Sequence, residues 1–172
     1  VKIVGFGDWL DLACDFTVRS LQNWQYSMNS IHYLLALWGR LVAAMPYLKN
    51  DDSDSQRQVQ TLKRNTLTVV QAYFKTVLES VDVVVASDGD IADPLEDEGS
   101  LREQMDRLPV ITRLQYDTVA QYLLTTFEQS LGMYDQIVRT PSPNAQQLLV
   151  LEGRMTWLTY IVAAVIDAPY AN

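Results

Sequence analysis

The stretch LTVVQAYFKTVLESVDVVVASDGDIADPLEDE, residues 67–98, decides the fold class. Leu67, Val70, Phe74, Val77, Leu78, Val81 and Val85 recur at the three- and four-residue intervals of one helix face. The β-branched tail SVDVVVA reads as a strand in isolation, but helical phase runs unbroken through Val81, Val84 and Val85, so helix is the reading. The segment then stops abruptly in an acidic loop that carries Pro94. The same sentence is written earlier in the chain: SIHYLLALWGRLVAAMP at 30–46, then YLKNDDSDSQ at 47–56. Striped helices that repeat, each ending in a charged loop, describe a solenoid, a class that works by presenting surface.

Working outward, a first helix is expected over about 8–22, capped by Asp8 and burying Trp9, Leu12, Ala13, Phe16 and Ser20. A second, about 27–45, starts at Ser27, buries Ile31, Leu34, Leu35, Trp38, Leu41, Val42 and Met45, and is stopped by Pro46. The third is expected over 58–86. A short helix at 100–108 opens on Ser100 and Glu103 as a capping box, and Pro109 breaks or kinks the path beyond it. A long helix over 111–139 buries Leu114, Val119, Leu123, Phe127, Leu131, Tyr134 and Val138. After ThrProSerProAsn at 140–144, the last helix (144–167) is apolar over most of its circumference, which implies either a central position or a missing neighbour. No strand alternation competes. The expected fold is all-α: a single block of antiparallel helix pairs in a HEAT-repeat, armadillo-type α-solenoid, with an isolated helical bundle as the rival architecture.

The totals set bounds on function. At 172 residues, 48% apolar and 20% charged, the chain buries a sizeable core and is not globally disordered. A net charge of -8 and a pI near 4.5 argue against a nucleic-acid partner, whose phosphates repel an acidic face. Such a field attracts basic proteins, although plain solubility is the simpler explanation of the charge alone. Cys14 is the single cysteine, so no internal disulfide forms and a reducing compartment is expected. The longest apolar run, WLTYIVAAVI at 157–166, is well short of the roughly 20 residues of a membrane span. The chain opens on Val1 in mid-phrase and reads as an internal piece of something larger.

Residues that do chemistry are scarce. A di-iron site in helices draws on Glu-x-x-His pairs, but Asn29 stands three before the only histidine, His32. One His and one Cys do not make a zinc site. Reading a calcium loop from Asp88 places Ala92 at the fifth position and Asp93 at the sixth, where glycine belongs, and DDSDS at 51–55 lacks Gly and a terminal Glu. The phosphate-loop, dinucleotide, nucleophile-elbow and zinc-protease motifs are absent from the sequence. No cofactor, metal or catalytic residue is expected, and an enzyme is disfavoured. What remains is acidic: Asp51, Asp52 and Asp54 in one loop, and Asp88, Asp90, Asp93, Glu96, Asp97 and Glu98 in the other. These are either solvated connections or a ridge that meets a basic partner.

Three tracts carry a family resemblance: SIHYLLALWGRLVAAMPYLK at 30–49, VLESVDVVVASDGDIADPLEDEGSLREQMDRL at 77–108 and LEGRMTWLTYIVAAVI at 151–166. Together they resemble the exportin-7 (Ran-binding protein 16 and 17) family of the importin-β superfamily of nuclear transport receptors. The likeness runs in order from about residue 9 to 167, and the DPLED loop and LEGRMTWLTYIV are its most specific parts. It implies the middle of a HEAT solenoid several times longer than this chain. It also implies a receptor that shuttles between nucleus and cytoplasm, binding Ran-GTP, protein cargo and the phenylalanine-glycine repeats of the nuclear pore. It assigns no individual Ran or cargo residue here. The alternative is a HEAT-like interaction scaffold without a transport role.

Overall fold

A computed structural model describes residues 5–48 and 53–166, and among these every regular element is helical. Six α-helices follow in order: α1 (Phe6–Gln22), α2 (Trp24–Ala44), α3 (Ser53–Ala86), α4 (Glu98–Thr112), α5 (Tyr116–Val138) and α6 (Ala145–Ile166). Short 3-10 turns at Met45–Leu48 and Arg113–Gln115 close α2 and introduce α5. Helix α1 packs on α3 and α2 on α4, while α6 packs on α4, α3 and α5. The helices therefore stack in two layers, α1–α3–α5 and α2–α4–α6, an all-α solenoid. The pairs open at Phe6, Ser53 and Tyr116, spacings longer than the about 34 residues of the most compact helical repeats.

Helix α3 is the axis of the array. The sequence assigns it one stripe, of which Val70, Phe74, Val77 and Val81 are buried. Val59, Leu62, Asn65, Thr66, Val69, Tyr73, Thr76 and Ser80 are buried as well, because neighbours cover it on more than one side. Its polar inward groups find partners: Tyr73 Oη donates to Gln104 Oε1 at 2.8 Å, and Asn65 Nδ2 donates to Asp11 Oδ1 at 2.8 Å. Burial drives the Tyr73 phenol far above its ordinary pKa, so it stays a neutral donor. In α2, Ile31, Leu35, Trp38 and Val42 are buried as the periodicity predicts, and Trp38 Nε1 donates to Thr17 Oγ1 at 3.0 Å.

Several expectations need correction. Helix α1 is capped at Gly5 in the left-handed region (φ 80), and Asp8 falls in the first turn, where its charge suits the helix N-terminus. Its buried stripe is Leu10, Cys14, Thr17 and Leu21, whereas Trp9, Leu12 and Phe16 are exposed. Ser27 does not begin α2. It sits at a break within it (φ -121, ψ 16), where its hydroxyl reaches the Ser20 and Asn23 carbonyls left by α1. Helix α3 begins at Ser53, before the expected 58. Pro109 neither stops α4 nor unwinds it before Thr112, whose hydroxyl donates to the Leu108 carbonyl at 2.8 Å. In α5 only Val119, Leu123 and Ser130 are buried, while Leu131, Tyr134 and Val138 are exposed.

Helix α6 is 22 residues long and contains an 18-residue stretch of mean hydropathy 1.5, long and apolar enough by composition to cross a membrane. It packs on three helices through Leu151, Trp157, Leu158, Ile161 and Val165, while Leu149, Tyr160 and Ile166 remain exposed. Its approach to α3 is close: a Cβ added at Gly153 would lie 2.6 Å from Val81 Cγ1. Val81 is buried and stiff at χ1, so it gives little.

Gly153→Ala is therefore expected to lower stability by about 1–2 kcal/mol, the clash outweighing the gain in helix propensity. Chemical denaturation should show partial rescue by Val81→Ala in the double variant. Equal stability of wild type and Gly153→Ala would contradict the close approach. The apolar ends, Trp9, Leu12 and Phe16 on α1 and Leu124, Leu131 and Tyr134 on α5, should make isolated 1–172 self-associate in sedimentation velocity. A monodisperse monomer across a hundredfold concentration range, about micromolar to tenths of millimolar, would count against open ends.

Candidate functional site

The acidic connection between α3 and α4 is a built turn. Ser87 closes α3: its backbone N–H donates to the Val83 and Val84 carbonyls, and its hydroxyl donates to Val84 O at 2.8 Å. The Ser87 hydroxyl oxygen in turn accepts from the Ile91 backbone N–H at 3.2 Å. Asp88 (φ 52) and Gly89 (φ 94) both occupy the left-handed region, which reverses the chain as it leaves the helix. Asp93 Oδ1 accepts from Leu95 N–H at 2.9 Å, and its carbonyl accepts from Glu96 N–H at 3.0 Å. Pro94 lines a small cavity together with Leu21, Trp24, Ile31 and Tyr73.

Asp97 caps α4. Its Oδ1 accepts from the Ser100 N–H at 3.1 Å and its Oδ2 from the Ser100 hydroxyl at 2.7 Å. The Ser100 backbone hydrogen bond, followed by that of its hydroxyl, holds the Asp97 carboxyl below the usual carboxylate range. Ser100 is thus the third residue of α4 and not its cap. The sequence signal was available in Asp97-Glu98-Gly99-Ser100, with a capping acid three residues ahead of a serine. Glu103, read as the other half of a capping box, stands instead with Oε2 3.2 Å from His32 Nδ1 on α2.

The nine acidic residues singled out in the sequence therefore divide. Asp93 and Asp97 are engaged in holding the turn. Asp88, Asp90, Glu96 and Glu98 are exposed, and their carboxylates have no hydrogen bond or ion pair among the described residues. Asp54 lies exposed in the first turn of α3, and Asp51 and Asp52 fall outside the described residues. No group of three His, Cys, Asp or Glu able to hold a metal occurs among the described residues. Cys14 is buried with Sγ 3.7 Å from the Asn65 carbonyl. Burial, reinforced by Asp11 and Asp15, pushes its thiol pKa up and keeps it an unreactive thiol.

A second feature lies in the α1–α3–α5 layer, and no sequence pattern pointed to it. Helices α3 and α5 meet where Phe74 stacks on Tyr122 (centroids 6.2 Å apart) and where Gln115 Nε2 donates to Lys63 O at 2.8 Å. Toward their C-terminal ends they part, leaving a wedge of about 500 Å³. Val85 and Ala86 of α3, Met133 and Ile137 of α5, and Val150 of α6 line it. Arg154 Nη2 meets Asp82 Oδ2 there at 2.6 Å, while Arg154 Nε–H is buried with no acceptor among the described residues.

A two-layered array of long helix pairs is the architecture of a helical-repeat protein. The profile of the family described as Exportin-7-like, TPR domain matches residues 81–171, more than half of the 172 residues, and the chain belongs to that family. It is 40% identical over 166 residues to Exportin-7-A of Xenopus laevis, covering 96% of this chain and 14% of that protein. It is 35% identical to Ran-binding protein 16 of Drosophila melanogaster and 30% to Ran-binding protein 17 of Homo sapiens, with the same coverage of 96% and 14%. The chain thus spans about one-seventh of the length of these relatives. No solved structure matches.

Asp97→Ala is expected to lower the melting temperature and speed amide exchange at Ser100, the N–H it leaves uncapped. Because the Asp97 pKa is depressed on folding, its contribution is complete above the ordinary carboxylate range and is lost as pH falls through the lowered native value. The gap between variant and wild type should therefore close on acidification. A gap that stays constant down to the lowest pH at which both fold would contradict the capping role.

Proposed function

We propose that this chain is a section of a Ran-dependent nuclear transport receptor, an exportin that binds Ran-GTP and protein cargo and shuttles between nucleus and cytoplasm. The observation that carries the reading is the 40% identity, sustained over 96% of the chain, to a protein named for export. The names Ran-binding protein 16 and 17 on further relatives supply the GTPase. On this reading the section is one stretch of a much longer HEAT-type solenoid, which touches the phenylalanine-glycine repeats of the pore along its length. It acts by surface and not by catalysis, without cofactor, nucleic acid or membrane. Helix α6 is, in this view, a helix covered by protein.

Asp88, Asp90, Glu96 and Glu98 are the acidic groups free to meet a basic patch on Ran or cargo, since Asp93 and Asp97 hold the turn together. Their attraction is long-ranged and screened, so it acts chiefly on association rate.

In the intact protein, pulldown should favour GTP-loaded over GDP-loaded Ran; equal capture of both supports the rival scaffold without a transport role. The variant Asp88→Asn/Asp90→Asn/Glu96→Gln/Glu98→Gln should bind its basic partner about threefold to tenfold more weakly, with a shallower salt dependence. Identical affinity and salt slope for variant and wild type would remove the acidic turn from the interface.

A further inference from the structure

We propose that Ser142, in the connection between α5 and α6, is a phosphorylation site for a proline-directed Ser/Thr protein kinase. The proposal does not rest on the transport reading. The connection reads Arg139-Thr140-Pro141-Ser142-Pro143-Asn144. Its prolines explain why α5 stops and α6 restarts, but that role asks for no hydroxyl residue before each of them. Of the six prolines in the chain, only Pro141 and Pro143 follow a serine or threonine. Proline in that place disfavours helix in the residue before it and presents no N–H of its own. A kinase that grips its substrate as extended chain, with no acceptor for an N–H after the target residue, selects such a pair. The third residue beyond Ser142 is Ala145, so the enzyme is one that needs no basic residue there, as in the mitogen-activated class.

Access separates the two candidate hydroxyls. Residues 138–147 are all exposed. Neither the backbone N–H nor the hydroxyl of Ser142 makes a hydrogen bond among the described residues. With a proline on each side, three successive residues donate no backbone hydrogen bond, and a kinase can take the segment without breaking any. Thr140 is withheld by the fold. Its N–H donates to the Ile137 carbonyl and its hydroxyl to the Gln136 carbonyl, each at 3.0 Å. Both bonds must break, and the end of α5 must unwind, before Thr140 lies extended in an active site.

In the reaction Ser142 Oγ attacks the γ-phosphorus of ATP. An Oγ–P bond forms as the bond from that phosphorus to the β,γ-bridging oxygen breaks. ADP leaves with the electron pair, and the hydroxyl proton passes to the catalytic aspartate of the kinase. The ester carries a charge of about -2. At Ser142 it lies just ahead of the positive end of α6, whose first turn holds no acidic residue. On Thr140 it would stand at the carbonyl end of α5, where negative charge is repelled. Modification thus places a switchable charge on the α5–α6 junction without opposing either helix.

The test compares the intact protein with a synthetic peptide of residues 136–148. Each is incubated with a purified mitogen-activated protein kinase and Mg-ATP, and the phosphate is located by tandem mass spectrometry. The peptide has no fold to protect Thr140 and should be labelled at both Thr140 and Ser142. In the intact protein Ser142 should be labelled within about threefold of its rate in the peptide, since nothing has to open. The ratio of Thr140 to Ser142 labelling should fall about tenfold or more from peptide to protein, the effect of two hydrogen bonds. Ser142→Ala changes an exposed side chain without a hydrogen bond among the described residues and keeps the fold. It should remove most incorporation into the protein, whereas Thr140→Ala should leave incorporation unchanged. The proposal is overturned if the peptide is not labelled, if the intact protein is not labelled at Ser142, or if the Thr140-to-Ser142 ratio is the same in both.

Discussion

Helix α3 must be buried on more than one side while it carries polar groups inward, and that constraint organises the molecule. An amide or phenol taken from water without a partner costs on the order of 1–3 kcal/mol. Asn65 and Tyr73 escape that penalty only because α1 presents Asp11 and α4 presents Gln104 at hydrogen-bonding distance. Those contacts set how far each neighbour slides along α3. Apolar contact alone would accept several registers; the paired donors and acceptors accept one. At Gly153 the same helix approaches α6 so closely that a methyl group has no room.

The register of α3 has consequences beyond the core. Because α5 is pinned to it near Lys63 and at Phe74 but not farther along, the two helices diverge, and α6 shows between them. Because α3 ends at Ser87 in a left-handed reversal, the acidic turn changes direction and delivers Asp97 to the start of α4. Groove and turn thus arise at the same end of one helix.

Helix type was legible in the sequence almost throughout, because apolar periodicity is a local property. Even SVDVVVA, with its β-branched residues, follows phase and not propensity. The facing of α1 was not legible. Trp9, Leu12 and Phe16 make as good a stripe as Leu10, Cys14, Thr17 and Leu21, and larger side chains favour the wrong choice. The smaller set is buried because Thr17 receives the Trp38 indole and Cys14 lies against Asn65, and both partners are distant in sequence. The candidate site was half legible. An acidic cluster was plain, but its division into structural Asp93 and Asp97 and open Asp88, Asp90, Glu96 and Glu98 depends on where the backbone N–H groups point.

The sequence by itself determined that this is an all-α repeat protein of the exportin-7 kind, since period, breaker positions and family likeness are written in consecutive residues. Tertiary structure alone decided which stripe of a two-faced helix is covered, which acids are held by backbone donors, and where two helices part to leave a groove. Each of those depends on the distance between groups tens of residues apart, and chain order does not encode such distances until the helices have packed.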